Sequence, residues 1–268
     1  MAWFDIGVNL TNPRLPAETV IPESVTAGVS QLMITGTNLA ESEKAIALVR
    51  QYPAHLCATA GFHPHDSGNA SDADMARIAE LVTLPEVAAV GECGLDFNRN
   101  FSPKDVQLRR FEQQLEIAVA CGKPVFLHER DAFDEQLALL TQYRPKLKGG
   151  VAHCFTGDMT QMQAYLELDL YIGITGWLCD DKRGSVLRDA VTQLPLNRVM
   201  LESDAPYLLP KTLKKSARPM GSTNHPAVLP HIAEHLAPLM GIDIVTLQQA
   251  CWDNSQQLFG NINATTRN

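Results

Sequence analysis

VAAVGECGLDF, residues 87–97, is the stretch on which the fold turns. Val87, Ala88, Ala89 and Val90 make a short apolar run of the kind that forms a parallel strand buried on both faces. Glu92 is expected where that strand stops, beside Gly91 and Gly94, which let other groups approach the backbone. An ionised carboxylate at the end of a buried strand is costly unless a basic side chain or a metal ion neutralises it. The metal is the favoured reading, because imidazoles and a further carboxylate recur at equivalent places along the chain.

Outward from this stretch, seven more apolar runs read as strands, at 2–8, 30–38, 55–66, 124–131, 149–158, 170–176 and 197–208. Helical periodicity fills 39–52, 72–84, 103–121, 131–143, 159–168 and 185–193, and two helices starting at Ala227 and Val245 close the chain. Ser71 or Asp72 is placed to cap the second of these helices. Ser102 is placed to cap the third, with Pro103 at its first position and Gly122 as its stop. Eight strands alternating with helices, at roughly 25–35 residues per unit, predict a single α/β domain over 1–268, a (β/α)8 TIM barrel. A doubly wound open sheet is the rival. It lacks support, because no glycine-rich phosphate fingerprint follows the first strand and polar residues recur at nearly every strand end.

The carboxyl ends of barrel strands converge on one face. There this chain puts Asp5, His63, His65, Glu92, His128, His153 and Asp204. Imidazole plus carboxylate suits Zn2+, Mn2+ or Fe, whereas carboxylate and water suit Mg2+. Each residue alone has a structural explanation, and Asp96 reads equally as a turn former. Several such residues on independent strands at one end are hard to obtain from packing alone. His55, His225, His231 and His235 fall on loops or helices, outside this set.

Composition narrows the function. The 268 residues are 45% hydrophobic and 19% charged, with a formal charge of −8, which excludes a protein that coats nucleic acid non-specifically. The chain carries no run of eighteen apolar residues, and its start, MAWFDIGV, has neither a basic opening nor a cleavable apolar segment. A cytoplasmic, monomeric protein with no membrane contact is expected. The six cysteines show no C-x-x-C spacing and are expected to be reduced, with Cys93 and Cys154 as small fillers.

DIGVNL (5–10), GFHPHD (61–66), GECGLDFNRNFSP (91–103), PVFLHERDA (124–132), HCFTG (153–157), YIGITGW (171–177) and LESDAPYLLP (201–210) together resemble the TatD family of metal-dependent nucleases. The resemblance runs from Phe4 to Phe259 and implies a metal-dependent hydrolase barrel. It also implies Mg2+-dependent 3′–5′ exonuclease action on single-stranded DNA and RNA, with a part in repair of oxidative DNA damage. Glu92, His128 and His153 match the family's metal ligands, Asp204 its catalytic carboxylate, and His63 an active-site histidine at the scissile phosphate. Two positions depart from wider patterns. Gly7 and Asn9 stand where much of the superfamily has an H-x-H pair, which argues for one firmly held ion with a second arriving with substrate. His225 stands where the family usually has glutamate.

The expected reaction is phosphodiester hydrolysis, with the cation on a phosphate oxygen, Asp204 helping to deprotonate the attacking water, and His63 or His65 contacting the phosphate. Mg2+ is the expected ion, with Mn2+ and Zn2+ as alternatives. Substrate enters as a 3′ end. His65 and the loop lysines Lys211, Lys214 and Lys215 are the expected substrate contacts, and Trp177, Phe155 or Tyr207 could stack on a base. Two other functions fit the same residues less well. One is an amidohydrolase or esterase of the same superfamily; the other is a non-enzymatic partner in protein-export quality control.

Overall fold

A computed structural model describes residues 2–260 of the chain. Eight strands, β1 (Trp3–Val8), β2 (Val29–Ile34), β3 (Leu56–Ala60), β4 (Val87–Asp96), β5 (Val125–Arg130), β6 (Gly150–Ala152), β7 (Tyr171–Ile174) and β8 (Val199–Leu201), alternate with helices. The helices are α1 (Ala17–Thr26), α2 (Leu39–Gln51), α3 (Asp72–Leu81), α4 (Lys104–Cys121), α5 (Phe133–Tyr143), α6 (Met159–Glu167), α7 (Ser185–Val191), α8 (Leu229–Leu239) and α9 (Ile244–Phe259). The strands pair in parallel in the order β1 to β8. The sheet closes where β1 meets the chain just past β8. Val8 bridges Ala205, Asp204 N donates to Gly7 O at 2.9 Å, and Asn9 N donates to Ala205 O at 2.8 Å. This is the (β/α)8 barrel read from the strand pattern.

Alternating burial explains why the barrel is a core and not a pore. Every strand contributes to one apolar cluster: Phe4 and Ile6, Met33, Cys57, Ala89, Phe126, Val151, Tyr171 and Met200. Leu258 and Phe259 of α9 join it, and the Phe4 and Phe259 rings lie 6.2 Å apart. A larger cluster between sheet and helices holds the opposite side chains, among them Val29, Leu56, Val90, Leu127 and Ile172. Buried on both faces, these strands need the near-continuous apolar runs seen in the sequence.

Three local findings differ from the sequence reading. α1 was not foreseen: it carries Pro22 in its interior, a residue that lacks a donor and crowds the carbonyl four residues back, so its composition conceals it. β4 does not stop at Glu92 but runs on to Asp96. After a register shift, Cys93, Gly94, Leu95 and Asp96 pair with Leu127, His128, Glu129 and Arg130. α4 begins one residue later than expected, with Pro103 at its N-cap. Ser102 instead donates to His65 O at 2.9 Å and accepts from Gly68 N at 2.8 Å. Ser71 does cap α3, in a reciprocal box with Asp74. Among the described residues, no single helix is long and apolar enough to cross a membrane.

Candidate metal centre and cleft

Two strands and the turns that follow two others deliver one cluster. Glu92 comes from β4, His128 from β5, His153 from the end of β6, and His63 from the turn after β3. Glu92 Oε1 lies 3.0 Å from His128 Nδ1, 3.1 Å from His153 Nε2 and 3.4 Å from His63 Nε2. Single ligand atoms of His63, Glu92 and His128 fall within 4.8 Å of one another, a His/Glu group able to hold a metal ion. Asp204 lines the same cleft with φ +50°, a left-handed conformation that costs most residues energy but that aspartate tolerates. Asn9 Nδ2 donates to Asp204 Oδ1 at 3.1 Å and so fixes the carboxylate.

The imidazoles do not all play one part. A ring nitrogen's role is set by what the other nitrogen does. His153 Nδ1 faces Glu202 Oε2 at 2.8 Å and must donate to it, which leaves Nε2 for the cluster. That is the carboxylate–histidine pairing found behind metal-binding imidazoles. His63 is the reverse: its Nδ1 accepts from His65 N at 3.0 Å, so the proton of the neutral ring sits on Nε2, which lies 3.4 Å from Glu92 Oε1 and 3.3 Å from His128 Nδ1 at the floor of the cleft. His63 is therefore built to donate a hydrogen bond there. His65 Nε2 contacts Asp96 Oδ2 at 2.7 Å, and the same carboxylate lies 3.4 Å from His128 Nε2.

Charge is concentrated here. Burial works against the His153 cation, but Glu202 and Glu92 outweigh it and hold His153 well above the usual imidazole range. Burial likewise opposes the Glu92 charge, yet His153 and His63 hold it well below the usual carboxylate range. His128 is raised: burial lowers it, but Asp96 and Glu92 prevail. Burial pushes His63 down to about 3, so it is neutral at pH 7. Burial, with Glu92 and Glu202 adding to it against His153, pushes Asp204 up to about 7. The carboxylates thus favour the imidazolium forms of His153 and His128, and a divalent cation can take over the same balancing role. The donor set fits one: imidazole nitrogens and carboxylate oxygens converge, with His128 Nδ1, His153 Nε2 and His63 Nε2 all within 3.4 Å of Glu92 Oε1.

The cluster floors a cleft of about 620 Å³, lined also by Asn9, Lys44, His65, Arg130, Trp177, Asp204 and Tyr207. His63, His65, Glu92, His128, His153 and Asp204 all line it. Lys211, Lys214 and Lys215 do not: Lys211 pairs with Asp180 Oδ2 at 2.8 Å, and the other two are exposed on the loop after β8. Tyr207, 48% exposed, and Trp177 stand on the rim, whereas Phe155 is buried against Tyr165 and cannot meet a base. Asp5 is fully buried, with Oδ1 accepting from Gly7 N and Ser203 N, and it does not line the cleft.

Three residues escaped the sequence reading as partners of the cluster: Asp96, Glu202 and Asn9. Asp96 and Glu202 each have a signal in hindsight. Both lie at even spacing from a cluster residue, Asp96 four after Glu92 and Glu202 two before Asp204, which on an extended chain is the same side. Glu202 also needs room. A Cβ at Gly7 would overlap its Oε2, and one at Gly173 would meet its Oε1 at 2.5 Å. Two glycines therefore make the slot in which the partner of His153 sits.

A closed parallel barrel with an imidazole–carboxylate cluster in the mouth formed by its strand ends defines a metal-dependent hydrolase of the barrel type. The TatD-related DNase family profile matches residues 4–260, and the chain belongs to that family. It is 48% identical over 259 residues to a 3′-5′ ssDNA/RNA exonuclease TatD of Enterobacter lignolyticus, covering 96% of this chain and 98% of the relative. The protein of the same name from Escherichia coli K12 is 47% identical over 259 residues, with 96% and 98% covered. Among solved structures, YJJV, a TatD homolog from Escherichia coli K12, superposes with a TM-score of 0.86 at 26% identity, covering 97% of this chain and 98% of that one.

Proposed function

We propose that this chain is a metal-dependent 3′–5′ exonuclease that removes nucleotides from the ends of single-stranded DNA and RNA. The observation that carries the reading is the convergence of His128, His153 and His63 on one oxygen of Glu92, in the cleft that Asp204 also lines, in a chain nearly half identical to exonucleases of that name. Glu92, His128 and His153 are the groups that would hold the cation. A bound divalent cation supplies Lewis-acid stabilisation of phosphate charge and a source of hydroxide near neutral pH. Mg2+ is the ion that the resemblance implies. An imidazole-rich donor set favours Mn2+ or Zn2+, so the three should be compared directly.

The remaining chemistry falls to side chains. Asp204, pushed up to about 7, has a proton affinity suited to accept a proton from the attacking water. Asn9 keeps that carboxylate aimed. Neutral His63 donates Nε2–H to a non-bridging phosphate oxygen. His65, anchored by Asp96 and partly exposed, gives a proton to the 3′-oxygen that leaves as the phosphorus–oxygen bond breaks. Tyr207 and Trp177 stack on the terminal bases, and Lys44 and Arg130 face the backbone phosphates within the cleft. Lys211, Lys214 and Lys215 act farther along the strand, outside it.

The enzyme is read as a single-domain monomer of the cytoplasm, in keeping with six unpaired cysteines. The test is direct. Purified protein is given 5′-labelled single-stranded DNA with Mn2+ or Mg2+, with and without chelator, and with Glu92→Ala as control. Stepwise shortening from the 3′ end that chelator and Glu92→Ala both abolish supports the reading. Turnover that survives both refutes it.

A further inference from the structure

We propose that Cys179, His231 and His235 form a second metal site, separate from the cleft, that takes a single transition-metal ion of the zinc class. Cys179 ends the short helical turn after β7, and His231 and His235 lie one turn apart on α8. One ligand atom from each falls within 4.8 Å of the other two. None of the three lines the cleft. A thiolate with two imidazoles is a soft, nitrogen-rich set that selects zinc-like ions over Mg2+ or Ca2+.

The orientation of the two rings is what lifts this cluster above packing. His235 Nδ1 lies 2.9 Å from His231 O, one turn back on the same helix. A carbonyl only accepts, so Nδ1 carries the proton and Nε2 keeps its lone pair. His231 Nδ1 faces the Glu234 carboxylate at 3.7 Å, which turns its Nε2 the other way. His235 thus has an oxygen acceptor behind its Nδ1, the arrangement that stands behind ligating imidazoles in metalloproteins, and the Glu234 carboxylate lies on the same side of the His231 ring beyond hydrogen-bond reach. The rings lie 4.4 Å apart, tilted by 53°.

A fourth donor is already in place. Thr212 Oγ1 sits 2.8 Å from His231 Nε2 and also bonds the Cys179 side chain. Its hydroxyl therefore stands beside both the sulfur and the nitrogen, where it can serve as the fourth ligand or give way to water once an ion enters. Ligand atoms of a tetrahedral zinc lie roughly 3.3–3.7 Å apart. Separations of up to 4.8 Å close to that range by small side-chain rotations on a helix and a turn already packed together. Because a thiolate and not a thiol binds metal, an entering ion displaces the Cys179 proton to solvent. The half-buried rings and the exposed Thr212 give the ion a path in.

The site would pin three segments that only packing and hydrogen bonds now join: the turn after β7, the loop after β8 and helix α8. Co2+ is the probe, because thiolate coordination gives a near-ultraviolet charge-transfer band that a nitrogen–oxygen site cannot. Chelator-stripped protein titrated with Co2+ should show that band rising to the intensity of one thiolate-bound ion per chain, in addition to the ion that the cleft takes up without a thiolate band. Cys179→Ser should abolish it, and His235→Gln should weaken the ion at least tenfold. Cys154→Ser, which removes the thiol nearest the cleft, should leave it intact. Circular dichroism of each variant separates loss of the site from loss of the fold, and His235→Gln, on a partly exposed side chain, gives the reading if Cys179→Ser does not fold. No band in the wild type, or a band that outlives Cys179→Ser, overturns the proposal.

Discussion

Replacing Glu202 by glutamine tests how the cluster is tuned from behind. Glu202 is fully buried, and its two oxygens accept from His153 Nδ1 and from Cys154 N. Both partners are donors. Glutamine has the same shape but only one acceptor oxygen, so its amide group must face one of them donor to donor. If His153 answers by moving its proton to Nε2, that nitrogen can no longer bind a cation. If it keeps its tautomer, a buried hydrogen bond is lost and the ring is less basic. Removing an outer carboxylate of this kind weakens a metal about 10- to 100-fold, which corresponds to roughly 1.4–2.8 kcal/mol. The assay is exonuclease rate against Mn2+ concentration on labelled single-stranded DNA. The activation midpoint of Glu202→Gln should move to 10- to 100-fold higher Mn2+, with the saturated rate less than tenfold reduced. A midpoint within twofold of wild type, in a variant that melts normally, would show that the pairing behind His153 has no part in holding the ion.

Asp204→Asn should lower kcat by roughly 10²- to 10⁴-fold, the range for loss of a general base, while calorimetric Mn2+ binding stays within tenfold of wild type; equal losses in both would make Asp204 chiefly a ligand. Phe126 packs against His153 with ring centroids 4.6 Å apart and has no exposure, so Phe126→Ala should cost about 3–5 kcal/mol in denaturant unfolding. Asp243 caps α9, and its bonds to Thr246 hold its carboxyl below the usual range. A depressed carboxyl adds stability above its unfolded pKa, and that stability is lost as pH falls through the folded value. The gap in melting temperature between wild type and Asp243→Ala should therefore be open at pH 7 and narrow below about pH 3; a gap independent of pH would remove the charge from the explanation.

The barrel was legible because strands buried on both faces must be apolar throughout, and runs such as Val87–Val90 carry that demand openly. Helix α1 was hidden by Pro22, whose local preference is overridden by burial of Val20, Ile21 and Ser24 against the sheet. The end of β4 was hidden for a different reason. Gly91 to Asp96 look like a terminus by composition, and only pairing with β5 across a shifted register makes them strand. The same limit governs the cluster. Strand-end position can nominate Glu92, His128 and His153, but which carboxylate stands behind which ring depends on register between β6, β8 and their neighbours. That is why Asp96 reads equally as a turn former, why nothing local gives Glu202 a role, and why the lysines of the late loop look closer to the cleft than they are. His225 follows suit: it is fully buried and meets Glu23 Oε2 at 3.1 Å, a contact to α1 that no local motif announces.

The slot at Gly7 has a genetic corollary. Because the Glu202 carboxylate fills the volume that any β-carbon at position 7 would claim, the two sites are coupled by reciprocal epistasis. A side chain at 7 obliges the Glu202 carboxylate to swing aside, and moving or trading away Glu202 strips His153 of its partner. The effects of substitutions at 7 and 202 should therefore not add, because the first change at either position already spends what the second would disturb.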